Sequence, residues 1–496
     1  MAYITLNAYD AVVRIPEWKG LYQSGDGYAS DPRFAVEAKN VLTRDGYIRP
    51  VAACELYLPP LPAPIETFAR LYRRWHTEET GHDVLIAASG GQLYWILPGG
   101  EEWTQMALPD DWEGTGYQCS TWSYVAYEMN PEGSDAPVDV LLMSNAKDGM
   151  ICIRGDDMTV SVVPTPKKFG VIARHAERIW GGAIDNDPDM LVYSAPFDPF
   201  DWEQNDEIPE DGAGDLKQPS WDGDSFTALT PFGDQLVALK RTRVWRILGT
   251  NPGEYVFSEQ YGGGTPYAKT VAVDGTRILM LNRDGLSQYN GENVAPYYQE
   301  YAQGVFDRMN KAALDAAVAC VWRNVYYIAL PLDTATANNA VLMYNTEEHT
   351  WLLREDVSVE SFLPTEDALY FTSATTPGRV WLWHEDCQQG GTAQPMKWVS
   401  PWFDLNYKNM LKGGFTVYLT VEPQAEMVLN VGIQTEKKLK TKSVTFSPPE
   451  GERQAKQRRL TFGGNGRRFR FILESDSTVP WKLLGGVQIE AETDSD

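Results

Sequence analysis

The sequence predicts an all-β protein, a β-propeller of six or seven blades with a C-terminal β-sandwich domain, and three observations carry that prediction. A hairpin module recurs along the chain, helical periodicity is nearly absent, and the strand texture changes after residue 397. The clearest copy of the module is residues 226–249, FTALTPFGDQLVALKRTRVWRILG, in which strand, Gly-Asp turn and strand end on an aromatic. Further copies fall at residues 84–97, 140–154, 178–193, 270–289, 319–351 and 368–383. A hairpin that cannot bury itself must stack on its neighbours, and a spacing of roughly 40 to 60 residues suits one four-stranded blade with loop insertions. In the copy at 270–289, apolar Ile278, Met280 and Leu286 alternate around polar Asn282, Arg283 and Asp284, as strands joined by an Asp-Gly turn require.

Each segment has its own reading. Residues 1–50 are rich in Gly, Asp and Tyr without regular pattern and read as an extended arm. Four prolines in LPPLPAP at 58–64 stiffen the chain and mark a boundary, so residues 1–64 form arm and linker. The repeated region then runs over 65–396. Within it, residues 297–315 are the best helix candidate and 65–75 a weaker one. Trp95, Trp180, Trp245, Trp351, Trp381 and Trp383 stand at strand positions and are expected to pack blades together rather than to hold a ligand. Residues 197–220, FDPFDWEQNDEIPEDGAGDLKQPS, read as a solvated excursion from one face. Asp206, Glu207, Glu210, Asp211 and Asp215 of this loop are the candidates to face a channel. From residue 397 onward, strand-like stretches with alternating faces make a small sandwich the simplest reading.

Composition limits the function classes. With 496 residues, 43% of them hydrophobic, the chain can bury a sizeable core, and two or more domains are expected. No run of eighteen apolar residues occurs and the first residues lack a basic start, so neither a signal peptide nor a membrane-spanning segment is expected. Cys54, Cys119, Cys152, Cys320 and Cys387 are odd in number and far apart, which suits a reduced protein made in a cytoplasm. The net charge is −25, yet residues 397–496 carry 15 Lys and Arg against 12 Asp and Glu, a net of +3 that leaves −28 for the rest. An acidic body repels nucleic acid. An acidic wall also lets DNA slide past, because each phosphate contact with Lys or Arg would release counterions and hold the strand.

One basic run stands against this background. Residues 436–470 hold eleven Lys and Arg against three Glu, a net of +8. Lys437, Lys438, Lys440, Lys442, Arg453, Lys456, Arg458 and Arg459 are its candidate contact residues. They suit a clamp on DNA phosphates, a dock on the acidic body of a neighbouring subunit, or a solvated hairpin. Docking is favoured, because opposite fields orient assembly and the run lacks the interleaved aromatics of a stacking platform. Arg468 and Arg470 alternate with Phe469 and Phe471, a strand with one charged and one buried face.

Catalytic motifs are not found. His76, His82, His175, His349 and His384 form no metal motif of recognised spacing; His384 lies three residues before Cys387, but a structural zinc site needs a second close pair. GGGTPYAKT at 262–270 lacks the Gly-Lys-Ser/Thr ending of a phosphate loop and reads as a connection between blades. Arg154, Gly155 and Asp156 read as a turn. Asp and Glu are too numerous to nominate a glycosidase pair, and SNAKDG at 144–149 is only a partial echo of the sialidase Asp-box. No catalytic residue, metal or cofactor is therefore assigned. A glycan-binding or glycosidase propeller is the rival reading, with Trp103, Trp112 and Trp202 as candidate sugar platforms.

Four stretches carry a resemblance: NVLTRDGYIRP at 40–50, YSAPFDPFDW at 193–202, residues 223–249, and GGGTPYAKTVAVDGTRILMLNRDGLSQYNG at 262–291. With the order of arm, propeller and C-terminal β-domain, they resemble the tail hub or nozzle proteins of short-tailed phages, including the packaged-DNA stabilisation proteins. The resemblance covers roughly residues 40 to 490. It implies a structural virion protein rather than an enzyme, made in the host cytoplasm and placed in the tail. It also implies a ring, typically a hexamer, below the portal and head-to-tail adaptor, with tail fibre or tailspike proteins as neighbours. Genomic DNA would pass through the ring without sequence-specific contacts.

Overall fold

A computed structural model describes residues 10–494, except 24–30, 75–81, 111, 113, 131–136, 218–222, 261, 298–300, 386–391, 406–407 and 449–454. The recurring hairpins become antiparallel blades of four strands, because strands buried on both faces find apolar partners only in adjacent blades. Blade 1 is Ile65–Arg73, His82–Ser89, Gln92–Ile96 and Thr104–Gln105. Blade 2 is Ser123–Met129, Val138–Asn145, Gly149–Arg154 and Val160–Val163. Blade 3 is Val171–His175, Arg178–Gly182, Met190–Tyr193 and Gly214–Lys217. Blade 4 is Phe226–Phe232, Gln235–Lys240, Val244–Leu248 and Val256–Gln260. Blade 5 is Ala272–Val273, Ile278–Asn282, Gly285–Tyr289 and Val294–Pro296. Blade 6 is Val318–Trp322, Val325–Leu330, Ala340–Asn345 and Thr350–Glu355. Blade 7 takes Ser361–Pro364, Leu369–Thr372 and Val380–Leu382, and its fourth strand is Glu55–Leu58 from far upstream.

The propeller therefore has seven blades, one for each copy of the module, and the early strand closes the ring. An apolar cluster fills each junction. Leu71, Ile86 and Met143 join blades 1 and 2, Cys152 and Ile179 join 2 and 3, and Trp180 and Trp245 join 3 and 4. Val237 and Met280 join 4 and 5, Tyr327 and Trp383 join 6 and 7, and Leu363 and Leu85 join 7 to 1. The junction of blades 5 and 6, with Leu281 and Tyr326, is continuous with the core of the C-terminal sandwich. Trp95 and Trp381 lie half-buried against these clusters and Trp351 is fully buried, so all six strand tryptophans pack the blades as expected.

In the sandwich, one sheet orders Asp10–Ile15, Val487–Asp494, Leu411–Pro423 and Lys456–Gly466, with Trp481–Leu483 beside it. The other orders Met396–Val399, Phe469–Ser475, Met427–Thr435 and Leu439–Phe446. Phe415, Val417 and Leu419 face Val431, Ile433 and Phe471 between them. Phe469 and Phe471 are buried while Arg468 and Arg470 keep partial exposure, the alternation read from sequence.

Three expectations need correction. Ile65–Arg73 is a strand, not a helix: Thr67, Ala69, Leu71 and Arg73 are buried on one face while Tyr72 on the other is exposed, and a bulge between Ile65 and Thr67 blurs the alternation. Of the described residues in 297–315, only Gln303–Asp307 is α-helical, with a 3-10 turn at Leu314–Ala316. There the Asn310 side chain accepts the Ala312 N–H (3.2 Å), a local bond that competes with the helix ladder. The described part of the expected arm is built into the protein. Asp10–Ile15 pairs with Val487–Asp494, and Glu37–Lys39 lies between Thr350–Glu355 and Met396–Val399, fusing blade 6 and the second sandwich sheet into nine strands. Lys39 salt-bridges Glu355 (2.9 Å) and Asp356 (3.0 Å), and Lys397 salt-bridges Glu37 (3.0 Å) across that seam.

Candidate interaction surfaces

The basic run lies on the two strands that end the sandwich sheets. Leu439–Phe446 is the last strand of one sheet and Lys456–Gly466 the last of the other, so both leave a backbone edge unpaired among the described residues. In the register of the first hairpin, Lys440 pairs with Ile433 and Lys442 with Val431, whose side chains are core, so these lysines point inward across the open mouth of the sandwich. Lys442 Nζ lies 5.5 Å from the centre of the Phe462 ring, and the Arg458 guanidinium lies 5.7 Å from that of Phe446. Inward cations on an edge strand deter another chain from adding on, which accounts for Lys440, Lys442, Lys456 and Arg458. It does not account for Lys437 and Lys438, exposed in the turn, or for Arg459, which pairs with Tyr418 on the outer face.

Among the described residues, none of Lys437, Lys438, Lys440, Lys442, Lys456, Arg458 and Arg459 has a carboxylate within 4.0 Å. The nearby Glu436 is engaged elsewhere, with Arg468 (3.4 Å) and the Arg467 N–H (3.0 Å). Arg468 and Arg470 flank Trp402 at 4.9 and 4.8 Å and do not join the edge. Arg453 lies outside the described residues. On the outer face of the same hairpin, Leu439 (47% exposed) lies next to the turn lysines and Val428 (41% exposed) lies at the other end.

The acidic loop joins the third and fourth strands of blade 3, on the outer rim and away from the axis of the propeller. Asp198, Asp201, Glu203, Asp206, Glu207, Glu210, Asp211 and Asp215 are all exposed. The loop has a defined shape. Buried Arg178 donates to Ser194 O (2.7 Å), Gly212 O (2.6 Å) and Glu210 O, Asn205 Oδ1 accepts the Glu207 and Ile208 N–H groups, and Ala213 N–H bonds Glu203 O (2.8 Å). Phe197 is 70% exposed with left-handed backbone (φ 64°), and Ile208 is 52% exposed. A bulky residue at positive φ costs energy, so the backbone is strained where it presents this aromatic to solvent.

The remaining sequence candidates resolve locally. Trp103, Trp112 and Trp202 are half-buried, and their indole N–H groups bond Pro59 O (2.8 Å), Gly116 O (3.3 Å) and Pro199 O (2.8 Å). Asp156 is held by Arg154 (2.5 Å). His76 and Cys387 fall outside the described residues; His384 Nε2 lies 3.3 Å from Glu55. Among the described residues no three His, Cys, Asp or Glu side chains are grouped to hold a metal.

A feature missed in the sequence is a cleft of about 390 Å³ between one face of blade 6, the hairpin of Val41–Leu42 with Arg49–Pro50, and the chain after blade 7. Val325, Tyr327, Met343 and Leu352 form its apolar wall, with Arg323, Asn324, Glu347 and Glu348 among its polar lining. Arg354 bonds Ala52 O (2.6 Å) and His384 O (3.1 Å) and stacks 4.2 Å from the centre of the Trp383 ring, while Tyr327 Oη donates to Glu385 (2.8 Å). No local signal marks it, because its walls come from three distant segments.

Fold and surfaces together define a seven-bladed β-propeller fused to a β-sandwich, with an acidic rim and a basic far edge. No family model and no curated protein matches the chain. Among solved structures it is similar to PorZ, an essential bacterial surface component of the type-IX secretion system of Porphyromonas gingivalis, at 10% identity and TM-score 0.37, over 80% of this chain and 46% of PorZ. The chain thus spans less than half the length of PorZ. It is also similar to the Pan2 WD40 domain of Neurospora crassa (10% identity, TM-score 0.29, 77% of this chain and 98% of that one). A third is the β-propeller domain of the trilobed protease of Pyrococcus furiosus (9%, 0.32, 67% and 95%). At such identities and TM-scores the matches carry no argument about activity.

Proposed function

We propose that this protein is a structural component of a phage tail, a hub or nozzle that assembles as a ring around the DNA exit channel below the portal and adaptor. The observation that supports this reading best is the separation of charge: a body of strongly negative net charge carries, on one sandwich edge, seven cations with no carboxylate partner among the described residues. Such an edge favours an acidic protein surface, and the most abundant one available is that of another copy. The acidic body keeps DNA mobile in the passage, since few cations are offered to phosphate. Its role is mechanical and electrostatic, without a reaction to catalyse.

Light scattering with negative-stain imaging, on the protein alone and mixed with portal components, tests the reading. The expected result is a closed ring with a central hole; a monomer that also ignores portal components rejects it. Glycan binding is the second reading, and the blade 6 cleft favours it, since an apolar wall beside amide, carboxylate and guanidinium groups suits a hydroxylated ligand. Ligand-observed NMR with a panel of neutral and amino sugars checks it, and absent saturation transfer at millimolar sugar rejects it.

A further inference from the structure

We propose that copies of this chain associate head to tail, the basic sandwich edge of one seated on the acidic blade 3 loop of the next. This inference rests on the ring reading above and deepens it by naming the two faces that meet.

Topology sets the faces far apart. The sandwich is attached at blade 6, and blade 3 lies three blades away in one direction and four in the other around the closed ring. From the outer strand of blade 6, the basic strand Leu439–Phe446 is the fifth strand outward, roughly 24 Å along the sheet at ~4.8 Å per strand. The loop projects from the opposite rim. One molecule therefore cannot bring its own two faces together, and an isologous dimer through either face would oppose like charges. Contact between unlike faces is heterologous, which closes into a ring when the rotation per copy allows.

The faces also match in kind. The loop offers eight exposed carboxylates, and the edge offers Lys437, Lys438 and Arg459 outward with four inward cations behind them that add to the positive field. Exposed apolar side chains accompany both faces, Phe197 and Ile208 on the loop, Leu439 beside the turn lysines and Val428 at the other end of the hairpin. These are four of the nine large apolar side chains exposed among the described residues. The Arg178 tether holds the loop in shape before contact, so little ordering entropy opposes association.

Two charge-reversed proteins test the pairing, one with K437E, K438E and R459E, the other with D206K, E207K and D211K. All six positions are exposed, and unchanged melting curves verify folding. Each variant alone now opposes like charges, and its apparent dissociation constant, read by sedimentation velocity, is expected to rise about 100-fold over the wild type. Mixed in equal amounts, each variant supplies the partner the other lacks, and association returns with the two alternating. Wild-type rings that neither reversal disturbs, or reversed variants that the mixture fails to rescue, overturn the pairing and leave the ring reading standing. Loss and rescue in open chains without closed rings supports the pairing and overturns the ring. A wild type and a mixture that both stay monomeric overturn both.

Discussion

At the residue scale, burial decides which polar groups act and which are held. Arg178 is 1% exposed, and its guanidinium is spent on backbone carbonyls, so it shapes the acidic loop without neutralising it. His175, in the first strand of blade 3, is 7% exposed, and burial lowers its pKa below the ordinary 6.5 although the Gly249 backbone and Asp234 act in the opposite sense. The folded protein therefore keeps this imidazole neutral where the unfolded chain already takes up a proton. Its contribution to stability is present above pH 6.5 and lost as pH falls from there toward the depressed folded value. The melting temperature of the wild type is expected to fall between pH 7 and 5 more steeply than that of His175→Gln. Parallel pH profiles for the two proteins would contradict this assignment.

At the scale of elements, short strands with little local signal hold the long-range architecture. Leu21 N–H bonds Trp351 O (2.7 Å), which fixes the segment after the first strand against blade 6. This approach is possible because position 20 is glycine: a Cβ there would run into the Trp351 backbone oxygen. Trp18 then packs edge-on to Trp398 at 4.7 Å and donates to Leu484 O (3.2 Å), tying the N-terminal segment to the sandwich. Gly20→Ala must push the segment off blade 6, and a loss of about 2–3 kcal/mol is expected. Denaturant unfolding measures it, and a change under about 0.5 kcal/mol would show that the segment shifts freely. Most of the seven blades were legible, since each repeats the same hairpin with an aromatic at its end. The strand at Ile65–Arg73 was not, because the bulge between Ile65 and Thr67 and the apolar Phe68 and Tyr72 on its second face hide the period of two.

At the scale of the molecule, the uneven charge sets how copies meet. Exposed pairs are screened by salt, whereas apolar contacts such as those open to Phe197, Ile208 and Leu439 are not. Association is thus expected to weaken as NaCl rises from about 0.05 to about 0.5 M without vanishing, the Debye length shrinking to a few ångström. Sedimentation velocity across that range checks it, and association that strengthens with salt would assign the contact to apolar surfaces alone. The surfaces were half legible. The runs of like charge were plain in the sequence, but not which members act together: Arg468 and Arg470 belong to the same run yet lie against Trp402, apart from the edge cations.

The β-propeller, the sandwich and the sign of each charged segment were legible from residue order, because hairpin alternation, turn residues and charge runs are local properties. Tertiary structure alone decided the closure of blade 7 by Glu55–Leu58, the seam at Glu37–Lys39 and the placing of the charged faces at opposite ends. Those depend on pairings hundreds of residues apart, Lys39 with Leu353 and Asp10 with Glu492 among them. A strand of three residues has too few positions to show a period, and only the neighbours it meets in the folded chain give it a place.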